Sequence, residues 1–373
     1  MKNLKLIGFL MIIASSLMFI QCTSDPIAGP QGLAGADGID GINGVDGTNG
    51  VDGMDSTASC VACHSESHRG PVEASYKLSL HAMDPLHTDR GTGDLINTSD
   101  YTNRGSCAQC HTSEGYIDYV SGFPVAPGGG YPDDLSYDYG KQTISCNTCH
   151  SSHSSFDFDN DGQDFALRNV APVTLVYDDV TIIDFEGTSN NCTTCHQPRN
   201  SYAVPAGIDD YAITSSRFGP HHGPQSTLLE GILGANIAGS EAYPGSGADG
   251  DNSHRTGLGD VASNCVSCHM GTTTDENDGL HSMWPTTNAC TACHTNGAPT
   301  EVSGYAVDFE TLKGLLIAAG SLTESGSTVS GTYPIAVAQA TWNWKTLEED
   351  KSNGVHNPKY AKALLKNSIE ALQ

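Results

Sequence analysis

The pattern Cys-x-x-Cys-His occurs six times in this chain: Cys60, Cys63 and His64; Cys107, Cys110 and His111; Cys146, Cys149 and His150; Cys192, Cys195 and His196; Cys265, Cys268 and His269; Cys290, Cys293 and His294. Twelve of the thirteen cysteines are used in this way. Two thiols three apart on one helical turn can add to the two vinyl groups of one porphyrin, and the next residue then presents imidazole to the iron. Zinc sites or disulfides are the competing readings of paired cysteines, and neither explains a histidine after every pair. Six covalently attached haems are therefore expected. They also answer a packing problem, because only 7% of the 373 residues are aromatic and side chains alone make a thin core.

The first cysteines of successive motifs are 47, 39, 46, 73 and 25 residues apart, so no module of fixed length repeats. About forty residues per haem is too few to wrap each group separately in protein. Neighbouring macrocycles are expected to lie close together, in a chain suited to electron tunnelling.

Two imidazoles on each of six irons require twelve histidines, and the sequence has fifteen. Six follow Cys-x-x-Cys, and the others are His68, His81, His87, His153, His221, His222, His254, His281 and His356. A histidine three or four residues beyond the motif lies on the same side of the helix as the first ligand. His68 and His153 would then serve a different haem from the one they follow. The preferred distal set is His81, His153, one of His221 and His222, His254, His281 and His356. His356 directly precedes Asn357–Pro358, a helix start that would fix its direction. Met83 and Met283 are weaker candidates, since thioether ligation would raise the potential of one haem.

The chain opens with Lys2 and Lys5 before an apolar run from Leu6 to Ile20, the form of an export signal over residues 1–21. Cys22 follows and is the one cysteine outside the motifs. Its place resembles the lipidated cysteine of bacterial lipoproteins, although Ile20 and Gln21 are not the small residues usual there. From Gly29 to Gly53 a glycine recurs at every third position, collagen-like in period. Extended, nine triplets reach about 80 Å. Residues 22–56 are expected to form a tether; trimerisation through a triple helix is the sharper alternative, weakened by the single proline and the run of acids. A formal charge of -26 excludes nucleic acid and favours cationic partners or metal ions.

Residues 57–300 carry the motifs among Gly, Ser, Thr and Asp, with short strands expected near Val173 to Phe185. Residues 301–373 change character. Asp308 is expected to cap a helix whose apolar face is Phe309, Leu312, Leu315, Leu316 and Ala319, stopped by Gly320. A second helix is expected from Pro334 through Trp344, and a third from the Asn357 cap with Ala361, Leu364, Leu365 and Leu372 on one side. Within DFDNDGQD, Asp157, Asp159, Asp161 and Gly162 match the start of a calcium loop. The twelfth position is Arg168 instead of Glu, which leaves Asp164 and carbonyls as substitutes and a solvated acidic turn as the competing reading.

Around the motifs, CHSSH (Cys149–His153), GPHHGPQ (Gly219–Gln225), CVSCHM (Cys265–Met270) and GVHNPKYAKALL (Gly354–Leu365) resemble segments flanking axial ligands in bacterial multihaem c-type cytochromes, and the resemblance covers roughly residues 57–373. It implies a mostly irregular fold: short α-helices around stacked haems, few β-strands and a small helical C-terminal cap that contributes a distal ligand. The function it implies is electron transfer in respiration at the outer envelope, from a lipid-anchored position, with redox proteins or extracellular acceptors as partners. Two other functions stay open. One is a nitrite, hydroxylamine or sulfur-oxyanion reductase with one open haem, though every motif ends in His, without the lysine variant that marks nitrite reductases. The other is a subunit of a conducting filament sharing a histidine across copies.

Overall fold

The computed structural model describes residues 65–82, 86–88, 95–97, 105–122, 144–151, 166–199, 202–220, 222–258, 264–275 and 277–373. The export signal, Cys22, the glycine repeat, the first motif (Cys60, Cys63, His64), Met83, His153, His221 and the calcium-loop residues Asp157, Asp159, Asp161 and Asp164 lie outside them.

Helices in the motif-bearing part are short. They are α1 (Glu66–Tyr76), α2 (Gly105–His111), α3 (Ser113–Val120), α4 (Cys146–Cys149), α5 (Asn190–Thr193), α6 (Gln225–Glu230), α7 (Ser253–Thr256), α8 (Cys265–His269) and α9 (Thr287–Thr291). Five of these hold motif cysteines. Small polar groups secure them where propensity cannot: Asn264 accepts from Ser267 N–H at the start of α8, and Thr286 from Asn288 N–H at the start of α9. Close backbone approach does the rest for α2 and α3. A Cβ on Gly115 would stand 2.4 Å from the Ala108 backbone, so only glycine lets the two helices pack as they do.

The strands form three two-stranded antiparallel pairs. Leu86–Thr88 (β1) pairs with Leu95–Asn97 (β2), and Val173–Thr174 (β3) with Ile182–Ile183 (β4). The apolar stretch from Val173 to Phe185 is thus a hairpin, because Asp178 turns it by accepting from the Val180 and Thr181 N–H groups. Tyr211–Ile213 (β5) pairs with Gly331–Tyr333 (β6), joining the motif-bearing part to the C-terminal helices.

Three longer helices close the chain: α10 (Tyr305–Ala318), α11 (Ile335–Asp350) and α12 (Pro358–Ala371). Asp308 does not cap α10. The helix starts one turn earlier, where Gly304 adopts φ 80°, and Asp308 sits in its first turn, paired with Lys366 at 2.8 Å. Asn357 does cap α12, accepting from Tyr360 N–H at 3.1 Å, with Pro358 in the first turn. Leu312, Leu316, Trp344, Tyr360, Leu364 and Leu365 bury together with Leu228 and Ile237, and Trp342 packs with Phe218 and Ile213. None of the described helices is long and apolar enough to cross a membrane.

Candidate haem-binding site

None of the ten described motif cysteines is in a disulfide. Among the described residues no cluster of three or more His, Cys, Asp or Glu is arranged to hold a metal ion by itself. What the fold arranges is pairs of histidines.

Four motif histidines each face one histidine from outside the motifs. His196 and His81 have ring centroids 6.0 Å apart, and His294 and His254 are 6.1 Å apart. His269 and His356 are 6.2 Å apart, and His150 and His281 6.3 Å. An iron bound to two imidazole nitrogens at about 2 Å, with each ring centre about 1 Å beyond its nitrogen, spaces the centroids by about 6 Å. The donor set therefore fits a haem iron with two axial imidazoles. The pairings ignore sequence order: His281 and His254 face motifs three and six across long stretches of chain. His111 lies near enough to His222 to feel its charge, while His222 pairs with Glu349 at 2.9 Å and is half exposed. His68 is exposed on α1. Met283 meets the ring nitrogen of His81 through its sulfur and faces no motif histidine in the ring pairs above.

Iron binds neutral imidazole, and burial favours that form at five of the rings. Burial first, then the charges of His196 and His269, push His81 down to about 4. Burial does the same for His269 and His111, again to about 4. His281 and His196 are lowered by burial as well. His356 goes the other way. Burial lowers it, but the charge and hydrogen bond of Asp350 together outweigh that and leave it raised.

The motifs are also close to one another. The Cys110 thiol is within hydrogen-bonding reach of Cys195, and Cys192 of Cys265. Between motifs two and four, Gln109 Nε2 donates to the Thr194 carbonyl at 2.9 Å and Tyr116 donates to Asn191 Oδ1 at 2.6 Å. Ser113 and Thr148 join motifs two and three, and Val266 N–H donates to Ser189 Oγ between motifs five and four. Motifs five and six meet where Thr286 N–H donates to the Cys268 carbonyl at 3.0 Å.

Sequence reasoning missed the groups behind the rings. Asp350 accepts from His356, the Met283 carbonyl from His269, the Val355 carbonyl from His254, and Gln225 contacts His196. Of these Gln225 and Val355 lay in segments already singled out, GPHHGPQ and GVHNPKYAKALL, and Met283 was weighed only for its sulfur.

A family model described as outer membrane cytochrome MtrC/MtrF-like, domains II/IV, matches residues 45–207. The chain is 24% identical to the C-type polyheme cytochrome OmcC of Geobacter sulfurreducens over 74% of its length and 43% of that protein's. OmcB of the same species is 24% identical over 73% of this chain and 44% of its own.

The chain is a multihaem c-type cytochrome.

This cytochrome spans less than half the length of the curated relatives it matches. Among solved structures it is similar to the outer cell wall cytochrome OcwA, with a TM-score of 0.43 and 20% identity over 72% of this chain and 45% of that one. An undecaheme cytochrome from the S-layer of Carboxydothermus ferrireducens gives a TM-score of 0.44 and 18% identity over 78% of this chain and 42% of that one. The cytochrome has the helix-rich, irregular build expected for a protein organised around haem c, with twelve helices and six very short strands among the described residues.

Proposed function

We propose that this cytochrome carries six haems c, each iron bound by two histidines, and passes electrons along them at the outer envelope. The observation that carries this reading is the set of four facing histidine pairs, each bringing one motif histidine and one distant histidine to the separation an iron requires. On this reading His81, His281, His254 and His356 complete the haems of motifs four, three, six and five. His153 and one of His221 and His222 supply motifs one and two. Iron saturated on both faces suits outer-sphere transfer and leaves no open position for a substrate, which weighs against a reductase. The haem supplies a one-electron couple; the polypeptide supplies ligands, spacing and burial. Close contacts between motifs two, three, four, five and six support a continuous path.

Export through residues 1–21, lipidation at Cys22 and a tether over residues 22–56 belong to the same proposal. They agree with the outer-membrane description of the matching family. Redox proteins or extracellular acceptors are the partners this implies. The test is the intact mature protein. Its mass should exceed that of the polypeptide by six haems, and its ferric spectrum should be low-spin throughout. A high-spin fraction in the unaltered protein would overturn full bis-histidine ligation and favour the reductase reading.

A further inference from the structure

Behind three of the facing pairs, ring nitrogens of five histidines meet groups outside the pair. Sδ of Met283 is 2.7 Å from His81 Nδ1, and Oε1 of Gln225 is 3.3 Å from His196 Nδ1. Backbone carbonyls take two more: Val355 at 2.5 Å from His254 Nδ1 and Met283 at 2.9 Å from His269 Nδ1. All four are neutral. His356 differs, because its Nδ1 donates to Asp350 Oδ1 at 2.6 Å and the Asp350 side chain is 0% exposed.

The placement of this carboxylate is poor for stability. Asp350 is the last residue of α11, where the negative end of the helix dipole disfavours an anion. Among the described residues its one ion-pair partner is His356. Its second oxygen, Oδ2, accepts from the Ser352 backbone N–H at 3.2 Å and from the Ser352 hydroxyl. A buried charge so placed, with its free oxygen held still, points one negative group at one axial ring.

We propose that Asp350 is a positioning residue that sets the reduction potential of the motif-five haem, making it more reducing than a neutral acceptor on His356 would leave it. The proposal rests on the ligation of that haem by His269 and His356. A carboxylate accepting from the outer nitrogen of a ligating imidazole makes the ring a stronger donor to the metal. Ferric iron carries the extra positive charge and gains more from this than ferrous iron does, and burial leaves the charge poorly screened. An electron then enters this haem less readily and leaves it more readily. The neutral acceptors behind the His81–His196 and His254–His294 pairs give no such bias.

The test is a potentiometric titration of the full, haem-loaded chain followed by visible and electron paramagnetic resonance spectra. In Asp350→Asn one one-electron wave should move positive by about a tenfold change in the ferric-to-ferrous preference, about 59 mV for a one-electron couple. All haems should stay low-spin. Ser352→Ala takes a competing donor from the carboxylate and should move the same wave the opposite way, which damage to packing would not do. If the asparagine variant fails to mature, the alanine variant decides alone. Unmoved waves with low-spin spectra overturn the role of Asp350. His356→Ala separates the two layers of the argument: a new high-spin haem keeps the ligation reading, and an entirely low-spin spectrum overturns it along with everything built on it.

Discussion

The C-terminal helices and the motif-bearing segments solve the same problem with different materials. Around α10, α11 and α12 the buried residues are Trp342, Trp344, Tyr360, Leu312, Leu316 and Leu364, an ordinary side-chain core. Around the motifs, beside a small apolar cluster of Leu175, Ile183, Phe185 and Leu229, many buried residues are small and polar, among them Ser75, Ser79, Thr112, Ser113, Thr148, Ser189, Asn190, Thr193 and Thr194. Short hydroxyl and amide side chains cannot fill a core, but they can tie closely approaching backbones together by hydrogen bonds. The difference shows what each half is built to surround. One half packs against itself, and the other is shaped to pack against porphyrin.

Withholding haem should split the two halves most sharply. In protein made without the attachment machinery, amides of 105–111, 146–149 and 190–193 should exchange quickly, while those of 338–348 and 361–369 stay protected. Uniform loss of protection would erase the distinction between the regions. Trp342→Ala should act the other way. It should remove about 3–5 kcal/mol of stability in the haem-loaded protein, as for other buried large aromatics, with no change of spin state. Denaturant unfolding followed by fluorescence and by the haem bands would show it. A smaller change is expected from His281→Ala, in which one haem should become high-spin while the unfolding midpoint recorded from the tryptophans barely moves. The mildest is Asn357→Ala, which should cost about 1 kcal/mol through loss of the α12 cap and leave the spectrum low-spin. A high-spin signal there would show that the cap also aims His356, tying the two regions more closely than their cores suggest.

Legibility in the sequence followed the same division. Where local rules decide, the residues could be read directly: Cys-x-x-Cys-His names five described motif histidines, and Asn357–Pro358 marks the start of α12. Gly320, at φ 78°, stops α10 as the pattern indicates. Asp308 misled because Gly304 offers an earlier start, and one glycine in the left-handed region leaves little trace among the 42 in the chain. The choice of His81, His254, His281 and His356 from nine spare histidines could be made from neighbouring residues. Which motif each one faces could not, because His81 and His196 are 115 positions apart and loops without periodicity bring them together. Asp350 gave no sign at all. In LEEDK it looks like any acidic residue on a solvated helix end, and only burial beside His356 sets it apart.

Met283 touches two of the paired histidine rings at once, His81 through its sulfur and His269 through its carbonyl, from a backbone held at φ 58°. The side chain and main chain of one residue therefore brace histidines that face His196 and His356 respectively. Neither ring can swivel without working against the other. With haem iron held between each pair as proposed, two neighbouring redox centres would share a single mechanical strut, which would restrain ligand movement when charge hops between them and keep the nuclear rearrangement accompanying each hop small.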